Sequence, residues 1–218
     1  MTPPVLEVRG VERSFDDHTG PRRVIAGVDL TVGAGEIVAL VGPSGSGKTT
    51  LLSIVAGFER PDAGTVRVAA SGRVGAPGWT EVAMVPQSLG LLGELTVAEN
   101  VALPLRLGAP DAADPAELLA RLGLGHLRDR HPHEISLGEQ QRTALARAAV
   151  VRPRLLVADE PVSHQNHARA ADVMAVVVDL AAAGSACLLA THDEVAVSAA
   201  DRVVELRDGV VHGEHRPR

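Results

Sequence analysis

The sequence predicts an α/β fold: a mostly parallel sheet with helices on its faces, an antiparallel β layer ahead of it and a small helical subdomain. Three observations predict it. Glu36-Ile37-Val38-Ala39-Leu40-Val41 is a short β-branched apolar run that feeds a glycine-rich loop and then an apolar stretch from Thr49 to Ala56, closed by Gly57. That order is strand, loop, helix. From Leu155 onward, apolar strand-like runs alternate with longer helical stretches, and between about 88 and 151 two capping-box spacings mark helix starts.

Taken in order, Val5 to Val11 and Val24 to Val32 alternate enough for strands of the antiparallel layer, with a turn-rich loop between them. After the first helix, Pro61-Asp62-Ala63-Gly64 reads as a turn, Thr65 to Val68 as a strand, and the Gly/Ala/Pro stretch from Ala69 to Gly78 as a flexible connection. Val82 to Val85 is another short strand. The chain from Thr96 to about Leu127 is helical in character: Thr96 with Glu99 has capping-box spacing, and Asp114-Pro115 starts a second helix that stops near Gly123. Ser136 with Glu139 repeats the box and opens a helix over Gln140 to Val151, ended by Pro153. Strands over Leu155–Ala158, Ala186–Ala190 and Arg202–Leu206 then alternate with helices over Ala168–Ala183 and Val195–Ala200.

At 218 residues the chain is expected to form one unit over 1–218, with the helical subdomain at about 88–151. Its core must be aliphatic, because Phe15, Phe58 and Trp79 are the only aromatics. A net charge of −6 argues against a general nucleic-acid surface. The single Cys187 lies in an apolar run and reads as a buried small hydrophobe in a reducing compartment. The first residues lack a basic segment followed by an apolar core, so no secretory signal is expected. The weakly polar stretch Val173 to Ala190 is broken by Asp179 and Gly184 and reads as helix then strand. Any membrane role is therefore expected to come through a partner.

Of 21 basic residues, only Lys48 is a lysine. It sits in Gly42-Pro43-Ser44-Gly45-Ser46-Gly47-Lys48-Thr49, followed by Thr50, at the spacing G-x-x-x-x-G-K-[ST]. Glycines at that spacing let backbone N–H groups wrap phosphates, the lysine reaches the β and γ oxygens, and the threonine holds magnesium. The following helix adds its unpaired N–H groups and the positive end of its dipole. A compact ammonium on a flexible stem suits this position where a planar guanidinium does not.

The strand Leu155 to Ala158 ends in Asp159-Glu160. Ligands bind at the carboxyl ends of parallel strands, so these acids belong beside the phosphates: Asp159 to hold magnesium, Glu160 to orient and deprotonate an attacking water. Gln87 follows the strand Val82 to Val85 and is placed to reach magnesium and the water. His192 follows another apolar strand and is placed as a hydrogen-bond donor to phosphate. Phe15 reads equally as a packed core aromatic or as a platform for a base. Ser136 and Glu139 are explained as a capping box, and a capped helix start remains an anion site. His131, His133, His164, His167, His212 and His215 form no convincing metal-ligand set.

In this order these residues resemble the nucleotide-binding subunit of ABC transporters, a P-loop NTPase type, over nearly the whole chain. Phe15 stands at the adenine-stacking aromatic, Gly42 to Thr50 at the phosphate loop, Gln87 at the glutamine loop, Ser136 to Arg142 at the signature, Asp159-Glu160 at the acid pair and Thr191-His192-Asp193 at the switch histidine. The resemblance implies an ATPase using ATP and Mg2+. It implies that Ser136, Gly138 and Glu139 meet the nucleotide of a second nucleotide-binding subunit, expected as a homodimer around two ATP. It also implies an integral membrane permease as partner, at the cytoplasmic face of the membrane, and that Gln87 reports that partner's state. Ala98-Glu99-Asn100-Val101-Ala102-Leu103-Pro104-Leu105 and Gly138-Glu139-Gln140-Gln141-Arg142 are most similar to the lipoprotein-release, macrolide-export and cell-division transporters.

Two positions depart from the family pattern: Leu137 replaces a glycine of the signature, and Gln165-Asn166 replaces Leu-Asp after the acid pair. The second removes a negative charge that the resemblance places at the dimer interface. A soluble ABC-type ATPase of translation, DNA repair or cell division is the alternative reading, although the usual second cassette and coiled-coil inserts are missing here. A simple phosphate-loop kinase would leave the signature and His192 idle.

Overall fold

Two sheets organise the chain in this computed structural model, which describes residues 3–18, 20–69, 80–109 and 113–217. The first sheet pairs β1 (Leu6–Asp17) with β2 (Gly20–Val32) on one side and with β4 (Ala63–Val68) on the other, all antiparallel. The first two strands are longer than the alternation predicts. Their pairing continues through Phe15↔Arg22 to Asp17↔Gly20, so most of the expected loop is strand. The hydrogen-bond ladder carries residues of poor strand propensity, and register shifts between Val8 and Ser14 absorb the irregular stretch around Gly10. The predicted flexible connection beyond Ala69 lies outside the described residues, as does Trp79.

The second sheet runs β5 (Val82–Val85), β6 (Leu155–Asp159), β7 (Ala186–Ala190), β3 (Ile37–Val41), β8 (Arg202–Arg207) and β9 (Val210–His215) in spatial order. Only the β8–β9 pairing is antiparallel. Side chains of β3, β6, β7 and β8 alternate between two cores. Val38, Leu40, Val157, Leu188 and Val204 pack with the antiparallel sheet and α1 (Lys48–Val55). Ala39, Leu156, Ala158, Cys187, Leu189 and Val203 face the other helices. Cys187 is fully buried there, and burial pushes its thiol up to about 12, so it is inert as a nucleophile.

Between β5 and β6 the chain makes a helical excursion: α2 (Val97–Arg106), α3 (Pro115–Arg121) and α4 (Leu137–Ala149). Short 3-10 turns at Gly125–Leu127 and Pro132–Glu134 join α3 to α4. Both capping boxes form, at Thr96/Glu99 and Ser136/Glu139. Since Ser136 is itself the cap, α4 starts at Leu137 rather than at Gln140. Buried Asn100 fastens the segment after Gln87 through bonds to Leu92, Leu95 and Thr96 backbone atoms. α5 (His167–Ala182) and α6 (Glu194–Ser198) complete the chain.

Candidate active site

The sheet order β5-β6-β7-β3 places four parallel strands side by side, and each releases a candidate residue at its carboxyl end. Gln87 follows β5, Asp159 ends β6 with Glu160 next, Thr191-His192 follows β7, and Gly42 follows β3. Residues far apart in sequence thus meet along one edge, at the position where open α/β sheets hold ligands.

The phosphate loop is fitted to its surroundings at two glycines. At Gly42, φ is 153° and a Cβ would lie 2.0 Å from the Leu206 carbonyl oxygen. At Gly47, φ is 103° and a Cβ would meet Ile25 Cδ1 at 2.7 Å and the Val24 carbonyl at 2.8 Å. Only glycine fits there. The Gly209 N–H donates to the Ser46 carbonyl at 3.1 Å, so the β8–β9 turn props the loop from behind. The Gly209 carbonyl also accepts from the Ala26 N–H at 2.9 Å, tying that turn to β2.

The start of α1 is bare. Thr96, Asp114, Ser136, Asn166 and Asp193 each place a side-chain oxygen on the first turn of the helix they precede, whereas Gly47 has no side chain to do so. Lys48 Nζ donates to the Gly42 carbonyl at 2.8 Å and the Pro43 carbonyl at 3.1 Å, which folds the ammonium over the loop. Ser46 Oγ is buried and has no hydrogen-bond partner among the described residues. The cavity in front, about 400 Å3, is lined by Ser44, Gly45, Gly47, Lys48, Thr49, Thr50, Gln87, Asp159 and Glu160.

Thr49 Oγ1 donates to Asp159 Oδ2 at 2.7 Å. Burial raises the Asp159 carboxyl above its ordinary range, and neighbouring Glu160 adds to this, while the Thr49 hydroxyl and Lys48 oppose it. A cation at this point would repay that desolvation, and hydroxyl, amide and carboxylate oxygens are the ligands Mg2+ selects. Glu160 has φ 53°, a left-handed backbone that costs a non-glycine residue on the order of 1 kcal/mol. Its N–H is held by the Ala190 carbonyl at 2.8 Å, and its carbonyl accepts from Gln141 Nε2 and Ser163 Oγ. Glu160 Oε1 lies 2.8 Å from His192 Nδ1, while Oε2 is buried and has no hydrogen-bond partner among the described residues. A carboxylate only accepts, so Nδ1 carries the hydrogen of this contact. The His192 ring is otherwise 77% exposed.

Other candidates lie outside this cavity. Phe15 is 38% exposed on β1, with the Arg13 guanidinium 4.6 Å from its ring centroid. It is not a buried core aromatic. Ser136, Gly138 and Glu139 lie at the start of α4, away from the chain's own phosphate loop. Glu139 Oε2 accepts from the Ser136 hydroxyl at 2.7 Å and its N–H at 2.8 Å, and these hold the Glu139 carboxyl below its usual range against the opposing effect of burial. Gln165 and Asn166 are accounted for by packing: Asn166 Oδ1 caps α5 through the Arg169 N–H at 3.0 Å, and Gln165 bonds the signature. Sequence reading passed over Arg22 and Val24 as cavity-lining residues. The signal was tertiary, since Arg22 is the cross-strand partner of Phe15 and shares its face of the sheet. No group of three or more His, Cys, Asp or Glu among the described residues forms a metal site.

A glycine-fitted loop, a bare helix start, a lysine and strand-end acids define a P-loop nucleoside triphosphatase. A family model described as ABC transporter matches residues 25–163. The chain is 41% identical to the lipoprotein-releasing system ATP-binding protein LolD 2 of Caulobacter vibrioides, covering 96% of this chain and 97% of that protein. It is 38% identical to the macrolide export ATP-binding/permease protein MacB 1 of Aeromonas hydrophila, covering 99% of this chain but only 35% of that longer protein. Among solved structures, the dimeric post-hydrolysis cassette MJ0796, bound to ADP and Pi, superposes with a TM-score of 0.89 at 27% identity, covering 98% of this chain and 99% of that one. The chain belongs to the ABC transporter ATP-binding family. It is an ATPase that works on ATP with Mg2+ as an ATP-binding subunit, in a family whose members act with a membrane-spanning partner. Among the described residues, no helix is long and apolar enough to cross a membrane.

Proposed function

We propose that two copies of this chain close around two ATP molecules and drive a separate permease of the lipoprotein-release or macrolide-export kind, from the cytoplasmic face of the membrane. Residues 1–218 act as a single nucleotide-binding domain, whose helical subdomain at about 88–151 meets the permease. The bare start of α1 beside the only lysine is the observation that carries the reading, because a phosphate supplies the acceptor that every other α-helix among the described residues finds in a side chain. Gly42 to Thr50 cradle the phosphates, and Lys48 leaves its two loop carbonyls to bridge the β and γ oxygens. Phe15 offers a ring face to adenine. Thr49, Asp159 and Gln87 would hold Mg2+, which would supply neutralisation of charge on the β and γ oxygens.

Glu160 acts as the base, and His192 holds its Oε1. The water proton passes to Glu160, the water oxygen bonds to the γ phosphorus, and the bond from that phosphorus to the bridging oxygen breaks to give ADP and phosphate. Ser136, Gly138 and Glu139 face the γ-phosphate held by the other copy, so hydrolysis loosens the dimer.

The single lysine provides the test. An amine-selective reagent modifies Lys48 and the N-terminal amine alone, and a bound phosphate pairs the ammonium and closes the loop over it. Labelling followed by digestion and mass spectrometry should show Lys48 protected by saturating Mg-ATP. Equal labelling with the site demonstrably occupied would overturn the contact.

A further inference from the structure

The departure at Gln165 has a structural counterpart. Gln165 Nε2 donates to the Gly138 carbonyl at 2.9 Å and to Gln141 Oε1 at 3.0 Å, and its Oε1 accepts from Arg142 Nη1. Gln141 Nε2 in turn donates to the Glu160 carbonyl, with Ser163 Oγ at 3.4 Å. The orientation of both amides follows from their partners. A backbone carbonyl only accepts and a guanidinium only donates, so Gln165 must turn its nitrogen to Gly138 and its oxygen to Arg142, and Gln141 must turn its nitrogen to Glu160. Arg142 is itself anchored by its Nε on the Leu122 carbonyl at 2.9 Å.

These bonds have few competitors. Gln141 is 3% exposed and Arg142 7% exposed, and unsatisfied polar groups at such depth are costly. The contact is also tight: a Cβ on Gly138 would lie 2.7 Å from the His164 carbonyl and 3.3 Å from Gln165 Nε2. At its far end the chain of bonds grips the one acid of the site whose backbone is left-handed, and which therefore needs its neighbours to stay in place. A leucine, the residue of the family pattern at this position, has no atom able to make any of these bonds.

We propose that Gln165 is a positioning residue for hydrolysis. It ties the start of α4 to the turn that carries Glu160, so that a phosphate seated against Ser136 and Gly138 sets the pose of the base in the same copy. The coupling half of this proposal rests on the reading that those two residues meet the other copy's nucleotide; the positioning half does not.

The test compares the full-length parent with Gln165→Leu, Gln165→Glu and Gln141→Ala, reading kcat, KM, Hill coefficient, melting temperature and affinity for a non-hydrolysable ATP analogue. Gln165→Leu should lower kcat about 10-fold and bring the Hill coefficient towards 1, leaving analogue affinity in place. Gln165→Glu keeps the acceptor for Arg142 but sets a carboxylate oxygen against the Gly138 carbonyl and Gln141 Oε1, so it should lower the melting temperature and share the loss in kcat. Gln141→Ala combined with Gln165→Leu should be no slower than the slower single variant, because both cut one chain of bonds. Parent kcat in Gln165→Leu, parent kcat in Gln165→Glu, or additive losses in the double variant would each overturn the proposal. Ser136→Ala separates the two readings. If it keeps the parent kcat and Hill coefficient while Gln165→Leu is slow, the signature reading and the coupling half fall and the positioning half stands. If it is slow while Gln165→Leu is not, only the Gln165 proposal falls.

Discussion

The phosphate loop and the signature are both glycine-bearing helix starts, yet they are built on opposite terms. At the phosphate loop Gly47 leaves α1 without a side-chain cap, and Gly42 and Gly47 are pressed against backbone from β8 and β2. At the signature Ser136 and Glu139 satisfy the first turn of α4 reciprocally, and the exposed face ends in Leu137. A site finished within one chain can leave its helix open, because the ligand completes it. A start capped by its own side chains needs no ligand to satisfy its first turn.

The sharpest way to break this contrast is Gly42→Ala, whose Cβ would stand 2.0 Å from a backbone oxygen that cannot rotate away. It should cost about 3 kcal/mol or more and abolish ATP binding, checked by calorimetry and thermal unfolding. Gly45→Ala is the control. Nothing lies within 4 Å of its Cβ, so only the positive φ of 80° is penalised, at about 1 kcal/mol.

Next in size, Glu160→Gln should reduce kcat roughly 100-fold or more while ATP stays bound, trapping a dimer detectable by size-exclusion chromatography. Hydrolysis at the parent rate would remove Glu160 as the base.

Ser136→Ala should cost about 1 kcal/mol through the lost cap, lowering the melting temperature by roughly 2–4 °C. The sign of its pH dependence is fixed by Glu139. Its folded carboxyl lies below the ordinary value because the Ser136 hydroxyl and N–H hold the ionised form, so the stabilisation is present above the unfolded pKa of about 4.3 and is lost as pH falls through the folded value. Melting curves of parent and variant should therefore converge in acid. A gap that widens in acid would refute the box.

The smallest effect is expected from Asn166→Asp. An acid caps α5 as well as the amide does and suits the helix dipole, so stability should change by no more than about 0.5 kcal/mol. ATPase rate should rise or hold, with Hill coefficients compared between the two proteins. A sharp loss would mean that the interface works with Asn by its own design.

The phosphate loop, acid pair, capping boxes and strand–helix alternation were legible because each depends on spacing within a few residues, which backbone geometry converts directly into local structure. One further element was legible and went unread: Asp208-Gly209, with φ of 47° and 75°, is a type I′ hairpin signal that forms β9. The length of β1 and β2 was not legible, since their ladder stabilises a sequence that prefers turns. What the sequence determined by itself is the chemistry available: one lysine ammonium at the start of α1, and a pair of acids and a histidine at strand ends. Which residues share the cavity, which oxygen of Glu160 meets His192, and how Gln165 joins the start of α4 to the turn that carries Glu160 were decided by tertiary structure alone. Those relations depend on sheet order and on partners 19 or more residues away, and no local rule of spacing encodes them.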